Sequence, residues 1–301
     1  MTDRGRHYRT IRHAATFTGG MFAGAVALAA YTARALNGPR RRDWRDGYTF
    51  TPWELGVDFA PVDFVAEDGV TLRGWWLPRA GTDRVVIAST GHRGLKTDLL
   101  GIGSGLWRAG NNVLLYDFRG CGESDLVPLS VGFHEQRDLR AAVRYARARV
   151  AGARLGLMGY SMGAALSLLV AAEDDGILAV VADSAFATLS DVVAAAYGRR
   201  RLPASPLIGL SDRYNGWRYG YRYGALRPID AVGQLAPRPL LIIHGSQDNV
   251  TPVEHAHRLY AAAGEPKELW IAKGVQHCGA YFFDREHYVA RIAAFFAHAL
   301  S

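Results

Sequence analysis

Cysteine and lysine are the residues that this 301-residue sequence has least of. Two cysteines, Cys121 and Cys278, are too few for a disulfide framework or a zinc cluster, and we expect two free thiols rather than a bridge. Lysine occurs three times against 32 arginines, a bias that reflects genomic composition rather than chemistry. Charged residues make up only 21% of the chain and hydrophobic residues 49%. This composition is typical of a folded protein with a sizeable core and not of a wholly disordered chain.

Positive and negative charges balance over most of the chain. The formal net charge is +7, but residues 1–45 contain nine Arg and two Asp, while the remainder contains 26 basic and 26 acidic residues. A nucleic-acid-binding domain would carry its positive surplus on a folded face. Here the surplus flanks one apolar segment instead, so we expect no nucleic-acid partner.

That apolar segment covers residues 14–33 and contains no charged residue. Twenty helical residues span about 30 Å, the thickness of a bilayer core, so we predict a single-pass membrane anchor over about residues 14–35. Two other interpretations stay open: a signal peptide cleaved near Ala33–Ala35, which would mean secretion, and a helix packed on the folded domain. Four Arg precede the segment and five follow it, so the side of the membrane stays open as well.

Short apolar runs alternate with helical stretches from residue 46 onward. Alternation of this kind predicts a mostly parallel sheet covered by helices on both faces, here with about eight strands and an antiparallel first pair. The two clearest helical stretches are residues 134–150 and 285–300. The predicted strands lie within residues 56–66, 70–78, 84–90, 111–118, 153–159, 177–183, 238–245 and 267–272.

One serine stands between two glycines where a predicted strand meets a predicted helix. The sequence there is GYSMG, from Gly159 to Gly163, with Ser161 at its centre. A serine in this place is compatible with a simple helix N-cap, since serine is a favoured capping residue. A sharp strand-to-helix turn also needs small residues on both sides, and such a turn exposes a nucleophilic serine at a helix N-terminus. The context therefore favours Ser161 as a nucleophile.

A nucleophilic serine needs a base and an acid that orients the base. Asp248 follows one buried strand in HGSQDNVTP, and His277 follows the next strand in GVQHCGAY. The carboxyl ends of parallel strands lie at one edge of a sheet, so both side chains are expected on the side of Ser161. Asp183, at the end of the strand after Ser161, is the alternative acid.

Acyl transfer also needs donors for an oxyanion. The backbone N–H of Met162, the first residue after the serine, supplies one. The second is assigned to the backbone N–H of His92 in STGHRG, residues 89–94, the loop after the third predicted strand.

From about residue 57 to residue 300 the chain resembles the α/β-hydrolase superfamily. Its layout is similar to the serine-aminopeptidase-like and Bem46-like hydrolases, many of which have an N-terminal membrane segment. The resemblance implies a hydrolase domain over residues 46–301, with a cap over about 184–227 that covers the site. It rests on GYSMG, DFRGCGES (117–124), HGSQDNVTP (244–252) and GVQHCGAY (274–281).

The resemblance implies a serine hydrolase that cleaves a carboxylic ester or thioester through an acyl-enzyme, without a cofactor or metal. The substrate would be a small or lipid-like acyl compound, and the oligomeric state stays open. An aminopeptidase is the alternative, but it needs an acidic anchor for the substrate amine, and residues 184–227 offer only Asp191 and Asp212. A third alternative is a binding protein without activity. The cap aromatics either line an acyl pocket or pack the cap, and they are Trp217, Tyr219, Tyr221 and Tyr223.

Overall fold

The strands that the apolar runs predict are present, and they form one eight-stranded sheet. The computed structural model describes residues 20–21, 23–40, 50–202 and 204–301. The strands are β1 (Ala60–Val65), β2 (Thr71–Leu77), β3 (Arg84–Ser89), β4 (Asn112–Tyr116), β5 (Arg154–Tyr160), β6 (Ile177–Asp183), β7 (Leu240–Gly245) and β8 (Lys267–Ala272).

The strand order is β1-β2-β4-β3-β5-β6-β7-β8. Strand β2 runs antiparallel to both of its neighbours, and the strands from β4 to β8 pair in parallel. This is the α/β-hydrolase fold, as the sequence predicts. Since β5, β7 and β8 run in the same direction, the residues that follow them meet at one edge of the sheet.

The central strands are mainly apolar because both faces of the sheet are covered. In β3, Val85 and Ile87 face one core, while Val86 and Ala88 face the other. Helices α3, α4 and α8 cover the first face, and α2 and α10 cover the second. Their bounds are α2 (Leu100–Arg108), α3 (Glu135–Arg149), α4 (Met162–Glu173), α8 (Glu254–Ala262) and α10 (Arg285–Ala299).

The segment between β6 and β7 contains helices α5 (Leu189–Arg199), α6 (Ala204–Tyr219) and α7 (Pro228–Ala231). Side chains of α5 and α6 form an apolar cluster of their own with residues 221–226. This arrangement lies where the sequence predicts a cap. A short helix α9 (Ala280–Phe283) precedes α10.

Residues 23–37 are helical, and we refer to this helix as α1. Ala25, Leu28 and Leu36 of α1 pack against the apolar cluster of the cap. The predicted membrane segment begins at residue 14, and residues 14–19 and 22 lie outside the described residues. Within the described ranges, no helix has the length and hydropathy needed to cross a bilayer.

A buried ion pair supports the loop in front of the sheet. The Nζ atom of Lys96 lies 2.6 Å from Oδ2 of Asp117, and the two side chains are 4% and 1% exposed. Oδ1 of Asp117 also accepts the backbone N–H of Lys96. A side chain at Gly122 would place its Cβ 2.2 Å from this carboxylate. Through Asp117, the DFRGCGES segment therefore holds Lys96, which follows the loop of residues 89–94.

Replacing Asp117 by alanine is expected to lower the free energy of unfolding by about 3–5 kcal/mol, because a buried Lys96 loses its buried partner. The half-exposed Glu123 would be left as the acid beside Lys96. Urea denaturation measures the change. As a control, Asp230→Ala breaks an exposed pair with Arg227 and should cost about 0–1 kcal/mol. Equal losses for the two variants would contradict this account.

Candidate active site

Ser161 lies in a strained turn between β5 and α4. Its backbone has φ 49° and ψ −110°, a left-handed conformation that non-glycine residues rarely adopt. A Cβ on Gly159 would lie 2.3 Å from the carbonyl carbon of Gly163, and one on Gly163 would lie 2.4 Å from the carbonyl oxygen of Ser89. Both glycines of GYSMG are therefore required by close backbone packing.

The side chain of Ser161 does not cap the helix. Ser161 occupies the N-cap position of α4, yet its hydroxyl makes no capping hydrogen bond. The Oγ atom instead lies 3.0 Å from Nε2 of His277. The interpretation of Ser161 as a simple helix N-cap is therefore wrong.

The structure brings Asp248 and His277 together with Ser161. Nδ1 of His277 lies 2.6 Å from Oδ2 of Asp248. An ionised Asp248 accepts a hydrogen bond from Nδ1–H, which leaves Nε2 as an acceptor for the serine hydroxyl. The side chain of Asp248 is fully buried, whereas that of His277 is 21% exposed. The three side chains thus form a hydrogen-bonded chain that ends at an accessible cavity.

Asp248 is held in its ionised form by several donors. Its Oδ1 accepts the backbone N–H groups of Val250 and Thr251, at 2.9 and 2.8 Å. Burial works against ionisation, but hydrogen bonds from His244 and His277 lower the pKa of Asp248 well below its ordinary value. The carboxylate therefore remains charged across the whole neutral range.

His244 is a residue of this site that the sequence analysis did not assign. It is the penultimate residue of β7, four residues before Asp248, and its Nε2 lies 2.7 Å from the carbonyl oxygen of Thr251 and 3.3 Å from Oδ2 of Asp248. Burial opposes protonation, yet these contacts raise the pKa of His244. These contacts place His244, in strand β7, against the carboxylate of Asp248 in the loop that follows. Its position near the end of a predicted strand was the available signal in the sequence, and that position does not show where the side chain points.

Asp183, the alternative acid, has other partners. Its carboxylate accepts hydrogen bonds from the hydroxyls of Ser184 and Tyr288, at 2.9 and 2.8 Å. Burial raises the pKa of Asp183 to about 6. The Ser184 hydroxyl in turn accepts the backbone N–H of Cys278, next to His277. Asp183 therefore supports the histidine loop from beneath, and the contact with the imidazole belongs to Asp248.

The two residues assigned to the oxyanion hole, Met162 and His92, line one cavity together with Ser161. Met162 is the first residue of α4, so its N–H is not used by the helix itself. The loop of His92 lies against the turn, since a Cβ on Gly91 would be 3.3 Å from Cβ of Ser161. Burial lowers the pKa of the His92 imidazole to about 4, so this side chain is neutral.

The cavity in front of Ser161 has a volume of about 480 Å³, within the usual range for small-molecule sites. Its walls are mainly apolar side chains of α1 and α5. Tyr219, Tyr221 and Tyr223 belong to the cap cluster and Trp217 is exposed, so none of these four aromatics lines the cavity. Two other aromatics of the cap, Phe186 and Tyr197, do line it. Cys121 and Cys278 are free, as expected.

Residues 107–301 match the model of the prolyl oligopeptidase family. The motifs resemble the serine-aminopeptidase-like and Bem46-like hydrolases, so the matching family differs from the group expected from them. Both lie within the α/β-hydrolase fold.

Relatives of known sequence span most of the chain. An uncharacterised protein, YfhR of Escherichia coli O157:H7, is 32% identical over 249 residues, which are 80% of this chain and 79% of YfhR. The uncharacterised YqkD of Bacillus subtilis is 34% identical over 192 residues, 62% of each chain. Among solved structures, the esterase Pf2001 of Pyrococcus furiosus superposes with a TM-score of 0.72 at 26% identity, covering 88% of this chain and 98% of its own.

Proposed function

This chain belongs to the prolyl oligopeptidase family, and from that premise we propose that it is a serine hydrolase that cleaves a carboxylic ester or thioester. The observation that carries the proposal is the hydrogen-bonded chain from Ser161 through His277 to Asp248, with distances of 3.0 and 2.6 Å. Nucleophile, base and orienting acid stand in the relation that acyl transfer requires.

The proposed reaction begins with attack of the Ser161 Oγ on the acyl carbon. Nε2 of His277 takes the serine proton as the new C–O bond forms, and Asp248 stabilises the resulting imidazolium. The N–H groups of Met162 and His92 hold the oxyanion of the tetrahedral intermediate. The imidazolium then donates its proton to the departing alcohol or thiol, which leaves an acyl group on Ser161.

Deacylation repeats these steps with water. His277 takes a proton from the attacking water, a second tetrahedral intermediate forms, and the proton returns to the Ser161 oxygen as the acid product leaves. The positive end of the α4 dipole lies at Ser161 and favours the negative charge of both intermediates. No cofactor or metal takes part in this scheme.

Ester or thioester cleavage is favoured over release of N-terminal amino acids by the charges around the cavity. None of the described residues that line it is acidic, so a substrate ammonium group would meet no carboxylate there. The two acids expected in the cap have other partners: Asp191 pairs with Arg258, and Asp212 pairs with Arg222. The esterase Pf2001, similar in structure, agrees with this choice.

We expect the purified protein to hydrolyse p-nitrophenyl butyrate with a kcat/KM at least about 10-fold above that for alanine p-nitroanilide. The reason is that an ammonium group without its charged partner forfeits about 1.5–3 kcal/mol. Steady-state kinetics of the two chromogenic substrates at one pH measure the ratio. A preference for the amino-acid anilide would contradict the ester assignment and favour the aminopeptidase alternative.

A further inference from the structure

The cavity in front of Ser161 has a wall that does not come from the hydrolase domain or from the cap. Helix α1 supplies this wall with four residues, Tyr31, Thr32, Ala35 and Leu36. Tyr31 and Ala35 are exposed, so their surfaces are open to a ligand in the cavity. The apolar residues of α5 form the facing side and include Leu189, Val192, Val193 and Ala196.

A buried polar network fixes α1 in this position. Asn37, at the end of the helix, is fully buried, and its side-chain amide donates to Oδ1 of Asn215 in the cap at 2.7 Å. Its Oδ1 accepts the hydroxyl of Tyr221 at 2.9 Å, and its carbonyl accepts the N–H of Leu129. Buried polar groups with satisfied partners specify one arrangement, because any displacement of α1 would leave several of them unpaired.

A second connection joins α1 to the oxyanion loop. The Arg93 guanidinium donates to the carbonyl oxygen of Ala35 at 3.2 Å, and Arg93 directly follows His92. Arg40, just beyond the helix, donates from its side chain to the carbonyl of Arg93 and from its backbone to that of Gly120. Ala35 is therefore placed against the same loop that carries the second oxyanion donor.

The chemistry of these walls determines what they would bind. Alanine, leucine and valine side chains offer contact to an aliphatic chain but no hydrogen bonds. Among the described residues, the charged ones that line the cavity are Arg93, Arg199 and Arg200. Ala35 lines the cavity together with residues of α5, so a larger side chain at this position would extend into the cavity.

We propose that α1 forms one wall of the acyl-binding pocket and that Tyr31, Ala35 and Leu36 limit the length of the substrate's acyl chain. This inference rests on the proposed acyl hydrolysis. The segment that precedes the hydrolase domain is then part of the substrate site. This segment contributes to substrate specificity, whereas bond cleavage is carried out by Ser161, His277 and Asp248.

The test compares p-nitrophenyl acetate, butyrate, octanoate and decanoate as substrates of three full-length proteins. In Ala35→Phe, the kcat/KM ratio of octanoate to acetate should fall at least tenfold below that of the wild type, since hydrophobic pockets discriminate single methylenes by about 10-fold or more. Arg34→Phe places the same ring one residue earlier, at an exposed position that does not line the cavity, and should leave the ratio unchanged.

A second variant tests the pocket in the opposite direction. Leu36→Ala should move the optimum toward longer chains by enlarging the cavity, and it covers the case in which Ala35→Phe fails to fold. Unaltered chain-length profiles in folded Ala35→Phe or Leu36→Ala protein would overturn the inference. Fluorophosphonate labelling of the wild type distinguishes failure of the proposed function from failure of this inference. A labelled Ser161 with unaltered chain-length profiles would overturn only the role of α1. Absence of labelling would overturn the proposed serine hydrolysis and this inference together.

Discussion

Replacing Ser161 by alanine is expected to abolish ester hydrolysis, with kcat falling by about 10⁶-fold. The variant keeps the cavity and the assigned oxyanion donors, but it has no oxygen to attack the acyl carbon. The measurement is the steady-state rate with p-nitrophenyl butyrate, using protein whose thermal unfolding midpoint lies near that of the wild type.

A matched serine variant controls for nonspecific damage. Ser211 is buried in α6, where its hydroxyl bonds the carbonyl of Ile208, and it does not line the cavity. Ser211→Ala is expected to keep kcat within a few-fold of the wild type. Comparable activity of Ser161→Ala and Ser211→Ala would contradict the nucleophile assignment.

Replacing Asp248 by asparagine is expected to lower kcat by about 10⁴-fold. The amide preserves the shape of the side chain but not its charge, so His277 loses the partner that fixes its tautomer and stabilises its protonated form. The loss should appear in kcat, and fluorophosphonate labelling of Ser161 should slow as well, because the same base activates the serine.

Asp183→Asn is the matched control for the acid. Asp183 is also buried near the histidine loop, but its carboxylate bonds Ser184 and Tyr288. Its replacement should change kcat by less than about tenfold and act mainly on the unfolding midpoint. A 10⁴-fold loss in Asp183→Asn, with an active Asp248→Asn, would reverse the assignment of the acid.

The sheet could be predicted from sequence because its central strands are covered on both sides. Strands such as β3 and β7 then contain continuous apolar runs, VVIA and LLII, and such runs are visible without any tertiary information. The residues that follow parallel strands share one edge, so the GYSMG motif and the strand ends together indicated that Ser161, Asp248 and His277 lie on one side of the sheet, with Asp183 as the alternative acid. Their distances required the structure.

The docking of α1 could not be predicted in the same way. Asn37 and Asn215 are 178 residues apart, and nothing in the local pattern of either indicates the other. An uncharged segment rich in alanine is compatible with a bilayer, a signal peptide or a protein surface. The membrane anchor over residues 14–35 remains a prediction, with part of it outside the described residues.

The residues that contact the Ser161, His277 and Asp248 side chains from behind could not be predicted from the sequence either. Asp183 ends β6 and His244 is the penultimate residue of β7, so both lie at the edge of the sheet where the site forms. What distinguishes them is the direction of their side chains: His244 contacts Asp248, whereas Asp183 points to Ser184 and Tyr288. Side-chain direction at strand ends depends on loop geometry, which apolar periodicity does not encode.

The most direct measurement is the mass and position of a covalent adduct formed with an alkyl fluorophosphonate. Attack by the Ser161 oxygen forms a P–O bond and releases fluoride, so the wild type should gain one phosphonyl group. Peptide mass spectrometry should locate that group at Ser161, and Ser161→Ala should gain none. An adduct on another residue, or equal labelling of the two proteins, would contradict the claim that Ser161 is the nucleophile.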